Sequence, residues 1–173
     1  VSADREPALR SCADSADSAD SAELAGRPGR TVVAAVLTNR GRVCLLRRSG
    51  LVDGDQGRWH CVTGYLPAAV DPLQQVFTEI AEETGMHPSD LRLVRSGARL
   101  TLRAGIDERW DVLPFLVEAA NTAVVLNWEN DDHRWVDDPH GVPGETVPWL
   151  ADVLAAVRWA PTGVTPPSRH GGR

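Results

Sequence analysis

Apolar residues recur along this chain in two rhythms, and the change of rhythm outlines its elements. Residues 31–38 (TVVAAVLT) and 41–48 (GRVCLLRR) are short apolar runs separated by Asn39, Arg40 and Gly41. Runs of this kind around an Asn/Gly turn predict two strands joined as a hairpin. Residues 59–67 predict a third strand that enters a loop containing Gly and Pro. After Asp71 and Pro72 the period changes. Leu73, Val76, Phe77, Ile80 and Thr84 follow the i, i+3, i+4, i+7 spacing of a helix face. Asp71 is a good cap, Pro72 is tolerated in a first turn, and Gly85 is suited to end the helix. Further strands are predicted over 91–102, 109–119 and 133–136, and a closing amphipathic helix over 147–159. The order strands, helix, strands, helix suits a mixed sheet flanked by helices better than a strict βαβ repeat.

The ends break this rhythm. The stretch ADSADSADSA is a tandem repeat with almost no large apolar residue, a composition that does not offset the entropy of folding. The segment GRPGR punctuates its boundary, and the residues after Trp159 are rich in Pro and Gly. The expected organisation is therefore a tail over 1–30, one folded domain over 31–159 and a tail over 160–173.

Composition narrows the class. Hydrophobic residues make up 42% of the chain, enough for a packed core. No apolar run reaches the length of a membrane span, and no signal-peptide pattern is expected at the start. A net charge of −6 argues against a surface that coats a nucleic acid. It does not argue against a small phosphorylated ligand, because a bound cation reverses the local sign. Cys12, Cys44 and Cys61 are odd in number, scattered and without zinc spacing, and they read as free thiols of a reducing cytoplasm.

The chemistry concentrates in the segment VFTEIAEETGM. Glu79, Glu82 and Glu83 stand at i, i+3 and i+4, so they neighbour one another on the predicted helix, in a sector beside the apolar face. Like charges so placed cost a helix about a few tenths of a kcal/mol per pair. A solvated acidic face explains them. So does a hard cation, since Mg²⁺ and Mn²⁺ prefer oxygen ligands and are commonly held by a few carboxylates together with substrate phosphates. Upstream, Gly64 lies where a backbone could come close to a ligand.

From Gly64 onward the chain resembles the Nudix hydrolases. Their signature runs Gly, five residues, Glu, seven residues, then Arg-Glu-aliphatic-x-Glu-Glu-x-Gly-aliphatic. Gly64, Glu79, Ile80, Glu82, Glu83, Gly85 and Met86 match it without a gap. Val70 stands in place of the first Glu and Thr78 in place of the Arg. The segment GRWH before the box and WENDDHRWV after it extend the resemblance over roughly residues 31–159. Within the family it is most similar to the nucleotide and dinucleoside-polyphosphate pyrophosphohydrolases.

The resemblance implies an α/β fold, the Nudix-type α/β/α sandwich with a mixed β-sheet. It implies hydrolysis of a phosphoanhydride in a nucleoside diphosphate linked to another group, with Mg²⁺ or Mn²⁺ as cofactor. The implied metal ligands are the Gly64 carbonyl, Glu79, Glu82 and Glu83. Glu79, Glu82 and Glu129 are the implied catalytic carboxylates, with Glu129 first as the base acting on water. Arg58 and Trp59 are the expected substrate contacts, and Trp110 and Trp128 are further candidates for base stacking. The expected partner is a small nucleotide, not a nucleic-acid polymer or a membrane. Many relatives are homodimers, which leaves a homodimer open. Losing the box Glu and Arg together strands no charged partner, so it is gentler than losing one. The rival reading is an inactive Nudix domain kept as a nucleotide-binding module.

Overall fold

A computed structural model gives the fold, and it describes residues 29–104 and 108–160. Nearly all of the two expected tails, with Cys12, lies outside the described residues. The first strand, β1 (Arg30–Asn39), turns into β2 (Arg42–Arg48) through Arg40 and Gly41, both at positive φ (50° and 82°). That two-residue turn matches the twist of a hairpin. The expected third strand is broken into β3 (Trp59–His60) and β4 (Val62–Tyr65). Helix α1 (Pro72–Thr84) follows. Asp71 caps it by accepting the Gln74 N–H at 2.9 Å. Gly85 closes it in the left-handed region, donating to the Ala81 carbonyl at 2.9 Å.

The strand expected over 91–102 divides into β5 (Leu91–Ser96) and β6 (Leu100–Ala104). Gly97 lies at the break, where a Cβ would stand 2.9 Å from the backbone of Ala156. The long β7 (Glu108–Ala119) pairs with both. Strand β8 (Asn130–Val136) begins three residues earlier than the pattern predicts, and α2 (Leu150–Ala156) is shorter than its predicted span.

The sheet is mixed. Strand β1 runs parallel to β7 and antiparallel to β2 and β4, and β2 also pairs with β8. Alternate residues of β1 serve opposite faces, as a pleated strand requires. Val33, Ala35 and Leu37 pack toward α1 with Val76 and Ile80. Val32, Ala34 and Val36 pack toward α2 with Leu150, Val153 and Leu154. One helix on each face gives the expected α/β/α sandwich.

One helix residue departs from the sequence reading. Glu83 does not share an outward sector with Glu79 and Glu82; it is 1% exposed. The reason is helical arithmetic. Position 83 lies seven residues after Val76 and three after Ile80, on the same stripe that enters the core.

Candidate active site

Helix α1 crosses the sheet over β4, and Gly64 makes room there for the Glu79 side chain. A Cβ at position 64 would stand 1.9 Å from the Glu79 carboxylate carbon and from its Oε1. Glycine therefore lets the half-buried Glu79 lie directly on the β4 backbone. Its Oε1 accepts from Gln75 Nε2, one turn back on the helix, at 2.7 Å.

Glu83 reaches deeper. Its Oε1 accepts the Thr63 N–H at 3.1 Å, and its Oε2 accepts from Asn130 Nδ2 at 2.9 Å. A carboxylate has about four lone-pair positions, and these two bonds orient the group. Its negative charge, together with burial as the larger cause, pushes the Cys44 thiol up to about 12. The Cys61 thiol is raised for the same two reasons. Both thiols are free and buried, so neither has the electropositive, accessible setting of a reactive cysteine.

Asn130 joins this network to His60, whose Nε2 lies 2.8 Å from Asn130 Oδ1. Burial and the nearby positive charge of Arg48 lower the His60 pKa to about 3, so the ring is neutral. Arg48 is itself buried, and its guanidinium donates to the carbonyls of Gly54 and Asp53.

Glu129 precedes Asn130 and is half-buried. Burial lifts its carboxyl above the ordinary range, and the charge of Glu82 adds to the rise. A hydrogen bond with Asn127 and the charge of Arg48 oppose it. Glu82 is exposed on α1, so its charge reaches Glu129 from the helix to the turn before β8. Ser49 ties down the turn before β8. Its N–H donates to the Glu129 carbonyl at 2.7 Å, and its hydroxyl donates to the Trp128 carbonyl at 2.8 Å.

The donors gathered here are all oxygens, the set a hard cation prefers. Among the described residues no three His, Cys, Asp or Glu side chains form a closed metal-holding group. Mg²⁺ characteristically takes one or two carboxylates and completes its shell with water and substrate phosphate, so an open set suits it. The Gly64 cradle and the facing charges of Glu82 and Glu129 fit that use.

The expected substrate contacts are engaged with other partners. Arg58 pairs with Glu145 at 2.9 Å and Asp55 at 3.3 Å. Trp59 is 2% exposed, its indole N–H donates to the Pro143 carbonyl, and the Arg47 and Arg134 guanidinium groups lie over its ring. It offers no open face to a base. Trp110 is fully buried, whereas Trp128, beside Glu129, is 57% exposed. Sequence reasoning missed Gln75 and Asn130. Gln75 was legible as a residue one helical turn before Glu79. Asn130 had no local signal, since its partners lie 47 and 70 residues away.

No family model matches the chain. Among curated proteins it is similar to the RNA pyrophosphohydrolase of Cellvibrio japonicus, 30% identical over 126 residues, covering 62% of this chain and 71% of that protein. Among solved structures it is similar to RenU, a Nudix hydrolase from M. smegmatis, at a TM-score of 0.59 and 20% identity, covering 76% of this chain and 84% of that one. It is also similar to the Nudix domain of Shewanella oneidensis NrtR, complexed with ADP ribose, at a TM-score of 0.59 and 17% identity over 78% of this chain and 89% of that one.

Proposed function

The chain belongs to the Nudix hydrolase superfamily, and from that premise we propose that it is a divalent-metal-dependent pyrophosphohydrolase acting on a small nucleotide. The observation that carries this reading is the meeting of α1 with the start of β8. There Glu83 accepts a hydrogen bond from Asn130, and the charge of Glu82 acts on the adjacent Glu129, although the chain between helix and turn makes three strands.

In this reading Glu79, Glu82, Glu83 and the Gly64 carbonyl hold Mg²⁺ or Mn²⁺. When bound, such a cation neutralises diphosphate oxygens and acidifies a coordinated water. The chain's own residues do the rest. Glu129 takes a proton from the attacking water, and its raised pKa makes it a stronger base than an ordinary Glu. The water oxygen bonds to phosphorus as the phosphoanhydride P–O bond breaks, and the departing phosphate carries the electron pair. Gln75 and the Gly64 cradle keep Glu79 in place, and burial keeps Glu83 in place. Trp128, the exposed aromatic next to Glu129, replaces Trp59 as the residue proposed to stack on the base. Arg58 is left to its ion pairs with Asp55 and Glu145.

A 5′-phosphorylated RNA end is the second reading, favoured by the name of the Cellvibrio japonicus relative. The net charge of −6 favours the small nucleotide. The test is a panel of nucleoside triphosphates, dinucleoside polyphosphates, ADP-ribose and a 5′-triphosphorylated RNA oligomer, assayed with Mg²⁺ or Mn²⁺ beside Glu83→Gln. Metal-dependent turnover that collapses in the variant supports the hydrolase. Binding of nucleotide without turnover across the panel overturns it in favour of a binding module.

A further inference from the structure

We propose that His60 and Asn130 act as a neutral positioning pair that fixes the Glu83 carboxylate relative to Glu129. The inference rests on the metal-dependent reading of the site.

The donor inventory forces the geometry. A carboxylate only accepts, so Asn130 must turn its amide nitrogen to Glu83, as the 2.9 Å contact has it. That leaves Asn130 Oδ1 facing His60 Nε2 at 2.8 Å. An amide oxygen also only accepts, so His60 must carry its proton on Nε2. One carboxylate thereby sets the orientation of an amide, and the amide sets the tautomer of a ring in β3. Read in the other direction, a ring locked in the buried core holds the amide, and the amide holds the carboxylate.

The elements involved give this chain its purpose. Asn130 immediately follows Glu129, and Ser49 pins the same turn from its other side through the Glu129 and Trp128 carbonyls. The Asn130 amide therefore ties a carboxylate of α1 to the segment that carries Glu129. At position 78, Thr78 is exposed and its hydroxyl bonds back to Gln74 of its own helix at 3.1 Å. It makes no such cross-link. Ligating carboxylates commonly depend on outer hydrogen bonds of this kind for their orientation.

The test is calorimetric titration of the full chain with Mn²⁺, for the parent, His60→Gln, His60→Leu and Asn130→Ala. Gln presents an N–H close to the position of His Nε2, and Leu presents none. We expect His60→Gln to stay near the parent, and His60→Leu and Asn130→Ala to lose about 10–100-fold in affinity, the usual cost of removing an outer-sphere partner. Parent-like affinity in a folded His60→Leu or Asn130→Ala overturns the pair while leaving the metal site standing. A parent that binds no Mn²⁺ overturns the metal reading and the pair with it. Nitrogen NMR of the ring in the parent, at neutral pH and without metal, gives a second readout that needs no variant to fold. The Nε2–H tautomer supports the pair, and the Nδ1–H tautomer overturns it.

Discussion

Gly64 and Glu79 are in such close contact that the glycine hydrogen occupies the only space a side chain would need; a Cβ there would stand 1.9 Å from a Glu79 carboxylate oxygen. The obstructing atoms belong to the end of a flexible side chain, not to backbone. Gly64→Ala is therefore expected to fold with little loss of thermal stability, because Glu79 can swing aside. Turnover is expected to fall about tenfold or more, since misplacing a catalytic group by about 1 Å costs on that order. Melting temperature and kcat/KM measured together check this. A large drop in melting temperature would show that the backbone, not Glu79, had yielded.

Glu82 and Glu129 supply a second test, in the metal-free protein. Burial is the first cause of the raised Glu129 pKa, with the Glu82 charge as an added cause. Glu82→Gln is expected to lower the Glu129 pKa while leaving it above the ordinary carboxyl range. A carboxyl whose folded pKa is raised favours the folded state at low pH, and that contribution is lost as pH rises through the folded value. Glu82→Gln should thus stabilise the metal-free protein slightly at neutral pH. Carboxyl-detected NMR titration measures the pKa, and an unchanged Glu129 would separate the two groups.

The thiols give a simple exclusion. Cys44 and Cys61 are buried and their pKa values are raised, so the thiolate needed for attack is scarce. In a Cys12→Ser protein, an aromatic disulfide reagent at pH 8 should release almost no thiol from the native state and both thiols after denaturation. Rapid reaction of the native protein would reopen a thiol role at Cys61.

The sequence was most readable where a property is local. The Asn39-Arg40-Gly41 turn, the Asp71 cap and the Gly85 stop follow from the residues themselves, and each has the expected backbone. Glu79, Glu82 and Glu83 were recognisable by spacing. Their different depths were not, because the apolar pattern runs to Thr84 and the polar letter at 83 conceals a second position on the same stripe. Arg58 is near the box in sequence, and Trp59 is an aromatic beside it. A strand residue beside a site points to one face or the other, and Trp59 points into the layer that holds α2. The split at Gly97 depended on the backbone of Ala156, a contact no local pattern announces.

His60 yields the sharpest statement about pH. Its pKa falls from the ordinary 6.5 to about 3 in the folded chain, chiefly through burial and then through Arg48. Between those values the unfolded chain binds a proton that the folded chain refuses. Stability from this group is thus fully present above pH 6.5 and is lost as pH falls toward 3. From pH 7.5 to 4.5 the loss should be on the order of 2–3 kcal/mol, one pKa unit being about 1.4 kcal/mol. Carboxylates also titrate in this range, so the parent alone does not isolate the ring. His60→Gln does, because it keeps an N–H donor and removes the titration. Urea denaturation at both pH values should show a smaller acid loss in His60→Gln by about that amount. Equal losses in the two proteins would mean that the folded state admits the proton, either by exposing His60 or by opening the turn that holds Glu129 and Asn130.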